Sequence, residues 1–74
     1  MKLRKNIIIK GIVQGVGFRP FIHKLVSIYQ LHGWVLNSDL GVEIDIEGKD
    51  TDLNKFIIDI PKKLPPLAKI EEMR

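Results

Sequence analysis

Apolar and polar positions along the 74 residues fall into six blocks, each with its own period. Leu3 to Val13 carries Ile7, Ile8, Ile9, Ile12 and Val13, a dense β-branched run bounded by glycine, which predicts a mostly buried first strand. From Pro20 to Gln30 the spacing changes. Phe21, Ile22, Leu25, Val26 and Tyr29 recur at helical intervals, with His23, Lys24, Ser27 and Gln30 on the other side. Pro20 suits a first helical position, Arg19 before it is expected to cap the helix, and Gly33 is expected to end it. Trp34 to Asn37 predicts a short strand with Trp34 in the core, and "NSDLG" at 37–41 is rich in turn formers.

Val42, Ile44 and Ile46 then alternate strictly with Glu43, Asp45 and Glu47, the signature of a strand with one wet face. After Gly48, a second helix is expected, capped by Asp50 or Thr51. It carries Leu53, Phe56, Ile57 and Ile60 at i, i+3, i+4 and i+7, and Pro61 is expected to end it. Beyond Pro65-Pro66, Ala68 to Met73 begins a last strand. The order β-α-β-β-α-β, with one apolar face per helix, predicts an α+β two-layer sandwich of the ferredoxin-like kind with an antiparallel sheet.

Composition narrows the chemistry. With no cysteine there is no thiol nucleophile, disulfide or zinc-thiolate site, and His23 and His32 lack a third ligand nearby. No metal and no cofactor is expected. No apolar run approaches the ~20 residues that span a bilayer, so neither a membrane partner nor a compartment other than the cytoplasm is expected. Net charge is +3, with Lys2, Arg4, Lys5 and Lys10 in the first strand and the acids in the middle, which suits an anionic partner but is, from charge alone, at least as well explained by an unevenly charged solvated surface. An RNA partner is not expected, because Ile7, Ile9, Val42 and Ile44 occupy strands on which RNA-recognition domains of this fold place aromatics.

The segment "GIVQGVGFRP", Gly11 to Pro20, joins the first strand to the first helix. A helix N-terminus offers unpaired N–H groups and the positive end of its dipole, and Gly15 and Gly17 allow successive amides to turn inward around an anion. Arg19 adds a planar fork suited to the same group. Glycine spacing alone is equally that of a plain tight turn. No Walker A loop or dinucleotide fingerprint is present.

"GIVQGVGFR" followed by "HGWVLN" resembles the acylphosphatase family, whose signature is a GxVQGVxFR loop and a later GWVxN strand. The resemblance implies a phosphate-binding loop of Gln14, Gly15, Val16, Gly17, Phe18 and Arg19, with Arg19 as the phosphate-binding arginine and Asn37 as the residue that positions the attacking water. Arg19 and Asn37 would be the catalytic pair, acting on an acyl phosphate and releasing inorganic phosphate. Taken by itself, Asn37 reads more readily as the residue that starts the turn, and its place at the end of "GWVLN" is what reverses that reading. "FRPF" and "PPLAKI" look like the N-terminal acylphosphatase-like domain of the hydrogenase-maturation carbamoyltransferases, long proteins that use carbamoyl phosphate and ATP. That resemblance implies a carbamoyl-phosphate-binding domain within a larger maturation enzyme. The family domain continues past the position of Arg74, so residues 1–74 are expected to form one domain without the family's final strand.

Overall fold

A computed structural model describes residues 2–74. Its elements are β1 (Lys2–Ile12), α1 (Phe18–Ile28), β2 (His32–Ser38), β3 (Gly41–Lys49), α2 (Asp50–Lys62) and β4 (Lys69–Met73). The four strands form one antiparallel sheet in the order β2-β3-β1-β4, and both helices pack on one face of it. The expected ferredoxin-like sandwich is the observed one.

β1 alternates rather than being buried throughout. Ile7 and Ile9 are buried under the helices, whereas Ile8 lies half-buried on the other face, opposite Glu43. β3 supplies Val42, Ile44 and Ile46 to the core, each with no exposed surface. Ile22 and Leu25 from α1 and Leu53, Phe56 and Ile60 from α2 close over them. Each such side chain contributes about 1.5–3 kcal/mol by leaving water. Tyr29, the C-cap of α1, donates a hydrogen bond to Asp59 on α2, tying the helices together at a second, polar point.

Several element ends differ from expectation. α1 stops at Ile28, and Gln30 rather than Gly33 takes the left-handed turn, with φ 54°. The Gln30 amide donates to the Ser27 carbonyl (3.2 Å) and the Leu31 amide to Val26 (2.9 Å), which is the double bond of a Schellman motif. Burial of Leu31 beside the core offsets the cost of a non-glycine residue there. Gly33 instead lies in β2, where a Cβ would strike the Asp45 carbonyl. α2 runs one residue past Pro61, because a proline in the last turn forfeits only one hydrogen bond. Its N-cap is Lys49, and Asp50 is already helical, its carboxylate accepting from the Thr51 amide at 2.9 Å.

Trp34 is 41% exposed instead of being a core residue. It pairs with Asp45 on the uncovered face, while Val35 one residue on turns to the helices beside Ile44. That uncovered face is less wet than its alternation suggested. Asp45 lies 2.6 Å from Arg4 Nε, and Asn6 Nδ2 donates to Glu43 (2.9 Å) and Asp45 (3.2 Å).

Candidate functional site: an open helix terminus over a glycine loop

β1 and β2 both run antiparallel to β3, so their C-terminal ends lie at the same end of the sheet. The loop between β1 and α1 leaves from that end. Just before it, the pairing of β1 with β4 slips between Lys10 and Gly11, a bulge that bends the strand as it enters the loop.

The loop is held by apolar anchors at intervals. Val13 (2% exposed) fixes its start and Phe18 (1%) its end, and Val16 packs against the core between them. Gln14, Gly15 and Gly17, the residues between anchors, face outward. Gly15 (φ 72°) and Gly17 (φ 79°) both adopt left-handed backbone, yet a Cβ at either would meet nothing within 4 Å. Glycine is therefore favoured here by backbone conformation and not by crowding, and the space beside it is open.

α1 starts at Phe18 with Gly17 as N-cap, so Arg19 lies inside the helix as its second residue instead of capping it. No side chain caps the terminus, and its first turn carries no acid. α2 differs: Asp50 and Asp52 sit in its first turn and offset the positive end of its dipole. Among the described residues, no protein group accepts the amides of residues 14–19, and no carboxylate pairs with Arg19. The positive potential of this terminus is left unneutralised.

Asn37 arrives from the other strand. Ile9, Val42 and Asn37 form one cross-strand row, and the first two face the helices, so register directs Asn37 to the same side. The turn that follows is organised by Ser38, whose hydroxyl accepts from the Leu40 amide (3.2 Å) and donates to the Gly41 carbonyl (3.4 Å). Asn37 is thus a strand residue and not the residue that starts the turn. Its side chain has no hydrogen-bond partner among the described residues.

These groups meet in a pocket of about 190 Å³ lined by Val13, Gln14, Gly15, Gly17, Phe18, Arg19, Pro20 and Asn37. All the site residues expected from the sequence line it except Val16, which acts as an anchor beneath. The Phe18 ring is in the core, so its backbone is what it has to offer. Pro20, not expected as a site residue, lines the pocket as well. Its position next to Arg19 was the available signal. The pocket is lined by amide donors and the Arg19 guanidinium, with no ionisable acid or base besides, a composition suited to an anion. A larger cavity of about 570 Å³ lies elsewhere, and its lining carries both signs of charge, Glu47 and Asp52 alongside Lys2 and Lys49.

The family model described as acylphosphatase matches residues 5–74. The chain belongs to the acylphosphatase family. It is 47% identical over 73 residues to a probable carbamoyltransferase HypF of Methanocaldococcus jannaschii, a match covering 99% of this chain and 10% of that protein. The crystal structure of full-length HypF in the phosphate- and nucleotide-bound form superposes with a TM-score of 0.96 at 40% identity, over 100% of this chain and 10% of the other. The acylphosphatase of Bacillus subtilis superposes with a TM-score of 0.89 at 39% identity, over 100% of this chain and 81% of that one. This acylphosphatase domain therefore spans most of the length of one group of relatives and about a tenth of the other. No helix of the described residues is long and apolar enough to cross a membrane.

Proposed function

We propose that this domain hydrolyses the carboxyl–phosphate bond of small acyl phosphates, giving a carboxylate and inorganic phosphate. The observation that carries the reading is the convergence, in one pocket, of an open helix terminus, two left-handed glycines, Arg19 and Asn37. The loop amides and the Arg19 fork hold the phosphoryl oxygens and stabilise the charge they carry as the bond to the leaving group breaks. Asn37 holds a water through its amide, aimed at phosphorus. The water oxygen bonds to phosphorus, the bond from phosphorus to the acyl oxygen breaks, and the carboxylate leaves with the bonding pair. Water's proton passes to a phosphoryl oxygen of the substrate. A carboxylate is a good leaving group, so the step needs no general acid, which agrees with a pocket that has none.

A second reading is favoured by the likeness to the HypF structure and by the proline after Arg19. In it the domain binds carbamoyl phosphate as one part of a larger cytoplasmic maturation enzyme and does not turn it over alone. Release of phosphate from acetyl phosphate and from carbamoyl phosphate, measured on the purified chain, separates the two. Turnover that is lost in Arg19→Ala supports hydrolysis. Saturable binding of carbamoyl phosphate without phosphate release supports the second reading and overturns the first.

A further inference from the structure

Pro20 lines the pocket beside Arg19, and its place in α1 removes a donor from the site. α1 begins at Phe18, so Pro20 is its third residue, and the first amide bonded within the helix is that of Phe21, to the Gly17 carbonyl at 3.2 Å. Any other residue type at position 20 would carry an amide hydrogen whose helical acceptor, the Val16 carbonyl, lies outside the helix. Such a hydrogen is one of the open donors of a helix terminus. Proline has none.

Proline in the first turn breaks no helical hydrogen bond, so helix formation tolerates it here without calling for it. The neutral place for proline is the first helical position, here taken by Phe18. At position 20 it also restricts Arg19, which is helical although a residue before proline disfavours that region. Every other feature of the terminus favours an anion: no capping side chain, no acid in the first turn, and a guanidinium on the second residue.

We propose that Pro20 sets the affinity of the pocket for phosphate, by withholding the one amide that would otherwise complete the helix terminus. The proposal rests on the phosphate-pocket reading above. A further amide would hold substrate phosphate and product phosphate alike. Such uniform binding tightens both complexes without speeding the chemical step, and it delays product release. With proline there, the terminus grips the phosphoryl group through two helical amides and the loop, and lets the product go.

The test restores the amide with Pro20→Ala and, independently, Pro20→Gly, using inorganic phosphate as the probe. In each variant a new backbone amide signal appears at position 20. It is expected to shift on phosphate titration, with the dissociation constant falling roughly tenfold, the worth of one modest charge-assisted hydrogen bond. With acetyl phosphate, KM and the inhibition constant of phosphate should fall together while kcat stays level or drops. Unfolding midpoints report that the variants are folded. The role of Pro20 is overturned if the parent binds phosphate but the new amide does not respond, or if affinity is unchanged or weaker in folded samples of both variants. A parent protein that shows no phosphate-dependent shifts at residues 14–19 overturns the phosphate reading, and this proposal with it.

Discussion

Replacing Arg19 with alanine separates the pocket's chemistry from the fold. Arg19 is exposed, is the second residue of α1, and has no carboxylate partner among the described residues. Truncation strands no buried charge and breaks no ion pair. Alanine is also a better helix former, so stability should change by no more than about 0.5 kcal/mol. Catalysis should respond very differently. One preorganised electrostatic contact to a transition state is worth roughly 10²–10³ in rate, which is about 2.7–4.1 kcal/mol at 1.36 kcal/mol per decade. The assay is phosphate release from acetyl phosphate at saturating substrate, with an unfolding curve on the same sample. Arg19→Lys should recover little, since a point charge does not reproduce the planar fork. A loss of only a few-fold in Arg19→Ala would refute the reasoning, and so would a loss matched by a fall in the unfolding midpoint.

Asn37→Ala should lose turnover while inhibition by phosphate persists, because a side chain that holds the water acts on the transition state more than on the bound anion; equal loss of both on a folded sample contradicts that role. Gly17→Ala should cost about 1–2 kcal/mol of stability from backbone alone, because φ is 79° and a Cβ would touch nothing, and Gly17→Asn should cost less; equal cost for the two in urea unfolding would locate the effect elsewhere. The Tyr29 hydroxyl, with Lys63 assisting, holds the Asp59 carboxyl below its ordinary value against the opposing effect of burial, and the same contact raises the Tyr29 hydroxyl above 10.0. The stability carried by Asp59 is therefore fully present above the ordinary carboxylate range and lost as pH falls through its lowered value. That carried by Tyr29 is present below its ordinary value and lost as pH rises through the raised one. Tyr29→Phe should flatten the acid limb of a stability-versus-pH curve, and an unchanged limb would dismiss the contact.

Element order was legible because most of the chain states its period plainly: Val42 to Glu47 alternates, and Leu53 to Ile60 steps in threes and fours. β2 does not. Trp34 and Leu36 on its uncovered face are as apolar as Val35 on its covered one, so the pattern alone misassigns Trp34. Helix ends were obscured for a different reason. The sequence points to a left-handed residue at Gly33, but the buried Leu31 and two closing hydrogen bonds let Gln30 take that conformation. The site was more readable than its supports. "VQGVGF" announces its glycines, whereas the use of Val13, Val16 and Phe18 as anchors depends on which way each side chain turns. Register across three strands, invisible in a linear reading, is what carries Asn37 to the loop and frees it from the turn.

Titration of the isotope-labelled chain with inorganic phosphate, read through backbone and side-chain amide shifts, tests the central claim most directly. If the open terminus of α1 is the anion site, saturable shifts should be largest at residues 14–19, with the Asn37 side-chain amide moving alongside them. Largest shifts around Lys2, Lys49 and the 570 Å³ cavity, or no saturable shift at the loop, would contradict the account.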